Sequence, residues 1–401
     1  MAWQAYVCDT MTGLLDVPID LPSFRWSVSV SNSSLSTTRD KGTESTEASG
    51  MQLPWGSIPA NTAGARERML ASSRRALVLM WDDVPVVFGA IGDRTDTWVD
   101  TSFSLRSVTD ILSTRYVIRE GVYGTGTTIS DSGDTKGQKI TSVTTDSIHW
   151  SGLSLRAIAC RAIQQATSKP GGTLPIDLPY LNEKGQHERT YDGFDVQNLS
   201  CADVLKKISN VSGGPDITFR PYMADADHVR LRVEAGSDSE PSLSQSGPVP
   251  MLTAFPGGGT LQDVKVSYLG PTMRVYGYGS GQDKAQLAHL SQDISLCQQA
   301  DPWPLSETVV GFTDDDTAAL VKNHTDGRLN AVRHPVCQIQ GTVALDDASL
   351  GEMWPGYLVD LDLSDYPSLP DGTYHLRLME MTGDAGSIAT LVFDVMRNPW
   401  Y

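Results

Sequence analysis

The sequence predicts a mainly β protein with α+β insertions. Several segments alternate apolar and polar residues with a period of two, which is the spacing of a strand with one buried face. Helical spacing occurs in only about three segments, and strands do not alternate regularly with helices as they do in doubly wound folds. The chain has 401 residues, of which 40% are hydrophobic. We therefore expect two or three domains with packed β cores.

The first predicted strand covers residues 23–30, where Phe24, Trp26, Val28 and Val30 share one face. Residues 76–92 are predicted as a hairpin, because two apolar runs flank a pair of aspartates. Pro85 indicates an edge or a bulge at the start of the second run. A third strand is predicted over residues 97–112, with Val99, Thr101, Phe103 and Leu105 on one face.

Three helices are predicted further along the chain. Residues 151–168 form an apolar stripe and stop before a Pro-Gly-Gly sequence. The next helix has Ser200 as N-cap and Asp203 three residues later, and it is followed by strands at residues 216–223 and 228–234. The last helix lies within residues 312–335, with Thr313 as its candidate cap.

Polar segments separate these elements and set the expected domain boundaries. Residues 31–50 are predicted as a polar loop or a long hairpin, residues 124–139 as a flexible segment, and residues 236–250 as an inter-domain linker. A second group of strands is predicted from Val336 to Val395. We expect a first β-barrel domain at 1–122, an α+β intermediate portion with flexible loops at 123–255, and a second β-barrel domain at 256–401. The second barrel can be discontinuous and include earlier parts of the chain.

Charge and cysteine content exclude several classes of function. The net charge is −17, from 31 basic and 48 acidic residues, so an outer surface that binds nucleic acid is not expected. An acidic wall that DNA passes without binding is compatible with this charge. Five widely spaced cysteines indicate buried free thiols in a reducing compartment. The first residues do not resemble a signal peptide, and no run predicts a membrane-spanning helix, so we expect no membrane anchor.

No catalytic, cofactor-binding or metal-ligating residue is predicted, and the chain is not expected to be an enzyme. There is no GxSxG motif, and the glycine-rich residues 277–281 are predicted as a turn or flexible loop. The aspartates at 314–316 match a helix N-terminus better than a calcium loop. His324 and His334 have no third ligand nearby. Nine tryptophans spread along the chain indicate anchors of several small cores.

Residues 354–384 contain the strongest charged candidates, and these are predicted to form the polar face of a hairpin. Asp360 and Asp362 alternate with apolar residues, as do His375 and Arg377 after a turn. Ion pairs between the two strands would contribute roughly 0.2–1 kcal/mol each. The aspartates are therefore interpreted as strand residues, not as catalytic carboxylates.

Several stretches resemble minor tail proteins of actinobacterial siphophages. The start of the chain is similar to theirs in a strand, an Asp-x-x-Thr-Gly turn at residues 9–13 and an Arg-Trp-Ser strand at residues 25–27. A later segment is similar in its Trp81-Asp82 pair, followed by Gly89 and Ile91. Residues 203–221 resemble the family's helix-then-strand element, and residues 354–384 its late barrel strands. The polar residues 31–50 depart from the family pattern.

The resemblance implies a tail-tip (baseplate) hub with two tail-tube-like barrel domains. It implies a homotrimer at the tail tip of the virion, assembled in the host cytoplasm. The trimer would join the tail tube to a central spike or fibre and bound the channel for DNA ejection. Implied partners are distal tail and tail-tube proteins, the tape-measure protein and the spike or fibre, with transient non-specific passage of viral DNA. The alternatives are a cell-wall hydrolase and a host-polysaccharide-binding module of the tail.

Overall fold

A computed structural model describes residues 2–37, 50–119, 128–129, 135–136, 147–211, 213–313, 315, 317–346 and 350–401. Strands account for 44% of the described residues and helices for 18%, so the predicted mainly β class with α+β insertions is confirmed. The chain forms two compact units. Unit 1 comprises Met1–Met251, Thr342–Asp360 and Arg377–Leu391, and unit 2 comprises Leu252–Gly341, Leu361–Leu376 and Val392–Tyr401. The barrel boundaries expected at residues 122 and 255 stay a prediction.

The strands, in chain order, are β1 (Trp3–Asp9), β2 (Leu15–Pro18), β3 (Arg25–Ser29), β4 (Ser33–Ser36), β5 (Met51–Pro54), β6 (Arg75–Trp81), β7 (Val84–Asp96), β8 (Asp100–Arg106), β9 (Thr128–Ile129), β10 (Thr135–Lys136), β11 (Ser147–Leu153), β12 (Ile176–Asp177), β13 (Lys184–Asp192), β14 (Ile217–Met223), β15 (Val229–Ala235), β16 (Met251–Phe255), β17 (Gly258–Gly259), β18 (Leu261–Leu269), β19 (Arg274–Tyr278), β20 (Ala288–Gln292), β21 (Glu307–Gly311), β22 (Val336–Ala344), β23 (Leu358–Leu363), β24 (Gly372–Asp384) and β25 (Ile388–Arg397).

The α-helices are α1 (Ala63–Met69), α2 (Val108–Leu112), α3 (Leu155–Thr167), α4 (Cys201–Ser209) and α5 (Ala318–Val332). Each of them begins after a serine or threonine whose side chain accepts a backbone N–H of the first turn. Such a cap stabilises a helix by about 1 kcal/mol. The predicted cap Ser200 is confirmed, and its hydroxyl also bonds Asp203 Oδ2 at 2.6 Å.

In unit 1, a six-stranded antiparallel sheet has the order β2-β1-β6-β7-β8-β5. The predicted hairpin is β6–β7. Asp82 and Asp83 join its strands with φ values of 48° and 67°, which is the left-handed pair of a type I′ turn. The pairing register shifts where Met80 lies opposite Pro85, so the predicted bulge is confirmed.

The main core of unit 1 joins this sheet to two helices. Val78 and Phe88 of the sheet, Ile158 and Ile163 of α3 and Leu205 of α4 belong to one buried cluster. Burial of each such side chain stabilises the fold by about 1.5–3 kcal/mol. The apolar stripe predicted for residues 151–168 is thereby confirmed, although its first residues complete strand β11.

A second part of unit 1 is built around aromatic side chains. Strand β3 pairs with β24 on one side and with β4 on the other. Trp26 is buried, as its alternation predicted. The Trp3 ring contacts Phe24, Trp26 and Trp81 at centroid distances of 5.5, 5.4 and 4.9 Å.

In unit 2, strands β19, β20 and β21 form a mixed sheet of order β20-β19-β21, and α5 packs on one side of it. Gly277 lies in β19. A Cβ there would overlap Thr325 Oγ1 of α5, and one on Gly279 would overlap Val321 Cγ2. The prediction of a turn or flexible loop is therefore wrong for Gly277. This glycine lets the helix approach the strand closely.

The late strands follow the predicted alternation. Neighbouring strands pair in the order β23-β24-β25-β22. In β23, Val359, Leu361 and Leu363 are buried, while Asp360 and Asp362 are not. The two aspartates therefore lie on the polar face of a strand, as predicted.

Three local predictions are wrong. Helix α5 begins after Thr317, not Thr313, because the Thr317 hydroxyl accepts the Leu320 N–H at 3.3 Å. The strand predicted over residues 97–112 ends at Arg106, since Ser107 and Asp110 form a capping box that starts α2. Residues 236–250 are not a loose linker, because Leu243 is buried within unit 1.

Some predictions concern residues outside the described part of the chain. These are residues 38–49 of the polar segment 31–50, most of residues 124–139, and the aspartates at 314 and 316. Within the first segment, Ser33–Ser36 form β4 and complete a hairpin with β3.

Candidate interaction surfaces

The turn between β7 and β8 leaves two large apolar side chains in solvent. This turn, the hairpin tip, comprises residues 96–100. Trp98 is 100% exposed and Val99 is 70% exposed. The sequence predicts Val99 on the same strand face as Thr101 and Phe103, but β8 begins one residue later, at Asp100. A rigid, uncovered tryptophan is characteristic of an interface anchor.

The backbone of the hairpin tip is held in place by its neighbours. Thr97 donates its N–H to the Asp100 carbonyl at 2.8 Å and its hydroxyl to Asp100 Oδ1 at 2.6 Å. Trp55 donates its indole N–H to the Thr97 carbonyl at 2.9 Å and its backbone N–H to the Val99 carbonyl at 3.1 Å. The Arg66 guanidinium lies 5.1 Å from the Trp55 ring centroid. The tip therefore presents Trp98 without relying on packing of the Trp98 ring itself.

A second apolar surface lies on the three-stranded sheet of unit 2. Tyr276 is paired with Leu290 on β20 and Val309 on β21, so all three project from the same side of the sheet. Val309 is 66% exposed, and the other two are more than one-third exposed. This side, the unit 2 sheet face, contains a shallow depression of about 420 Å³.

The opposite side of the same sheet is buried by α5. Val275 is fully buried there, and the Ser291 hydroxyl donates to Asp326 of the helix. A sheet of this kind needs only one covered side to be stable. Among the described residues, none fills the depression on the other side, so the apolar residues of the unit 2 sheet face remain available for contact.

The aromatic C-terminus packs within unit 2. Trp400 donates its indole N–H to the Ser368 carbonyl at 2.9 Å. The Tyr401 ring meets Trp303 edge-on at 5.0 Å. Both terminal rings remain about 60% exposed.

A polar cluster in unit 1 links side chains from different strands. Arg220 donates to the Tyr357 hydroxyl at 2.7 Å, and that hydroxyl donates to Glu234 Oε2 at 2.7 Å. Burial and the hydrogen bond to Glu234 raise the pKa of Tyr357 to about 12. The phenol is therefore neutral at pH 7 and serves as a bridge between the two charged groups.

Arg377, one of the charged residues of the predicted 354–384 hairpin, forms an ion pair with Asp216 and donates to the Gly356 carbonyl at 3.2 Å. Asp216 lies in the loop before β14. The ion pairs expected between the β23 aspartates and the following strand stay a prediction. His324 pairs with Asp315 at 2.6 Å. In the described ranges, no group of three or more His, Cys, Asp or Glu side chains could hold a metal ion.

All five cysteines are free, and four of them are buried, as predicted. Burial raises the pKa of Cys8 and Cys201 to about 12 and that of Cys160 to about 11. These thiols stay protonated at neutral pH and are poor nucleophiles. No helix in the described part of the chain is long and apolar enough to span a bilayer.

The chain is similar over nearly its whole length to several solved structures. A tail protein from Neisseria meningitidis MC58 is 12% identical, with 98% of this chain and 96% of that chain covered and a TM-score of 0.49. The 43 kDa tail protein of prophage MuSo2 from Shewanella oneidensis is 8% identical, with 98% of each chain covered and a TM-score of 0.48. The prophage tail protein gp18 from Listeria monocytogenes EGD-e is 10% identical, with 97% and 94% covered and a TM-score of 0.41.

No protein-family model matches the sequence, and no curated protein matches it either.

The sequence did not predict either apolar surface. Both have a signal in hindsight. The hairpin tip reads Asp-Thr-Trp-Val-Asp, which places two apolar residues inside a turn. Strand β19 carries Val275 on one face and Tyr276 on the other, so its apolar residues do not indicate which side is buried.

Proposed function

We propose that this chain is a structural protein of a phage tail or baseplate. More specifically, we propose a tail-tip hub that forms a homotrimer, bounds the DNA channel and joins the tail tube to a central spike or fibre. The observation that carries the proposal is the pair of apolar surfaces, the hairpin tip and the unit 2 sheet face. Both are built on paired strands, as expected of a subunit that is completed by assembly.

The resemblance to actinobacterial siphophage tail proteins supports this proposal through the fold. Of the residues that carry the resemblance, Trp26, Trp81 and Ile91 are buried in unit 1. They are therefore packing residues, and similarity at these positions reflects a similar core. The proposal accordingly assigns the chain no catalytic residue.

The remaining features agree with a virion component. The net charge of −17 disfavours a DNA-binding surface and suits a wall past which DNA slides. Free thiols suit assembly in a reducing host cytoplasm. In this proposal, the partners are distal tail and tail-tube proteins, the tape-measure protein and the spike or fibre, and the location is the tail tip of a siphophage.

Two measurements test the proposal. The purified chain of 43.4 kDa is expected to give a light-scattering mass of about 130 kDa, and antibodies against it are expected to label tail tips of intact virions. A monomer that is absent from the tips would refute the hub. Clearing of peptidoglycan in a zymogram would favour the hydrolase, and retention on host-wall polysaccharide would favour the binding module.

A further inference from the structure

The hairpin tip and the unit 2 sheet face both expose apolar side chains. We propose that Trp98 of one copy inserts into the depression on the unit 2 sheet face of a second copy. This inference rests on the proposed function, because it names the contact by which the copies of the hub would assemble.

The hairpin tip has the properties of an interface anchor. The whole Trp98 side chain is exposed, and aromatic side chains bury about 150–250 Å² when they are covered. Hydrogen bonds to Thr97, Val99 and Asp100 already order the backbone of the tip. Little conformational entropy is therefore lost when the tip docks, which favours binding.

The depression offers suitable partners for an indole ring. It is lined by apolar and aromatic groups with a few polar ones: Tyr276, Gly277, Tyr278, Gln286, Ala288, His289, Leu290 and Val309. Tyrosine rings can meet an indole edge-on, and the amide oxygen of Gln286 can accept the indole N–H. A volume of about 420 Å³ is large enough for an indole and for part of Val99.

The charges of the two surfaces are compatible. The hairpin tip carries two carboxylates, Asp96 and Asp100, and Asp96 is paired with Arg94 at 3.1 Å. The lining of the depression contains no acidic residue that would repel them. Glu307, on the same sheet face, is already bonded to Arg274 and Tyr276 at 2.9 Å each.

The two surfaces lie on different parts of the chain, so the contact is heterologous. Each copy would offer one tip and one depression, and a head-to-tail series of such contacts closes into a ring when the rotation allows it. The proposed contact therefore fits a trimer and does not require a two-fold dimer.

Mixing two complementary variants of the full-length chain tests the contact. Trp98→Ala removes the anchor but keeps the depression, and Val309→Glu places a carboxylate in the depression but keeps the anchor. Val309 is 66% exposed, so its substitution leaves the fold intact. Each variant alone is expected to self-associate at least ~30-fold more weakly than the parent chain in sedimentation. A 1:1 mixture is expected to form a two-chain complex, because one intact tip and one intact depression remain.

Matched controls are Phe194→Ala and Leu305→Glu, which alter other exposed apolar residues of unit 1 and unit 2 and should leave the association unchanged. Normal association of both test variants would overturn the contact while leaving the proposed hub intact. A mixture that remains monomeric would also overturn it. A parent chain that is itself monomeric and absent from virion tails would refute both the contact and the hub.

Discussion

Gly277→Ala is expected to destabilise unit 2 by about 1–2 kcal/mol. The new Cβ would overlap Thr325 Oγ1 and lie 3.0 and 3.1 Å from Thr325 Cβ and Cγ2. Overpacking of a core typically costs about 1–3 kcal/mol. Against this, alanine in a strand is about 0.5–1 kcal/mol better than glycine, which has more freedom in the unfolded chain. The difference between these two terms sets the expected loss.

Shortening the opposing side chain should restore part of this loss. Thr325→Ala removes Oγ1 and Cγ2 but leaves the Cβ. In a double-mutant cycle, the Gly277→Ala and Thr325→Ala pair is therefore expected to show a favourable coupling of about 1 kcal/mol. Both residues lie in unit 2, so the coupling reports directly on the packing of α5 against β19.

Urea unfolding followed by far-UV circular dichroism measures these changes. The matched control is Gly270→Ala, because no heavy atom lies within 4 Å of its added Cβ. If Gly277→Ala were as stable as Gly270→Ala, or if Thr325→Ala gave no rescue, the account of close helix–strand packing would be wrong.

Three further predictions concern other parts of the chain. A Cβ added to Gly327 in α5 meets no heavy atom within 4 Å. Because alanine favours a helix more than glycine does, Gly327→Ala is expected to raise the free energy of unfolding by about 1 kcal/mol in urea titrations. A lower free energy of unfolding would contradict this. At pH 8, a thiol reagent should modify the partly exposed Cys297 rapidly and the four buried cysteines only after denaturation. Equal modification rates for all five thiols in the native chain would refute the burial of the four. Burial alone would raise the pKa of Asp177, but hydrogen bonds from Arg230 and Tyr222 hold it below its ordinary 3.8. The stabilisation that ionised Asp177 provides is therefore present above about pH 4 and is lost as the pH falls further. Asp177→Asn should flatten the decline of the free energy of unfolding below pH 4. An unchanged slope of that free energy against pH would argue against this role.

Local signals in the sequence predicted many elements correctly. Ser200 caps α4 because its hydroxyl and the first turn are neighbours in the chain. Two aspartates between apolar runs form the β6–β7 turn for the same reason, since the backbone preference belongs to the turn residues. The alternation around Asp360 predicted its polar face, because a strand places successive side chains on opposite sides.

Predictions that needed a long-range partner were less successful. Thr313 and Thr317 are both plausible caps, and only the position of the helix on its sheet distinguishes them. Arg377 pairs with Asp216, which lies 161 residues away in sequence, so no local pattern identifies that partner. Gly277 resembles a loop residue until α5 is placed against its strand.

The sequence by itself therefore determined the mainly β class, the positions of several strands and of three helices, and the presence of buried free thiols. These follow from periodicity, caps and hydrophobicity, which act between near neighbours. Only the tertiary structure decided that Trp98 and the unit 2 sheet face are uncovered. Exposure depends on which distant segments pack against a residue, and an apolar side chain carries the same local signal whether a core or a solvent-filled depression surrounds it.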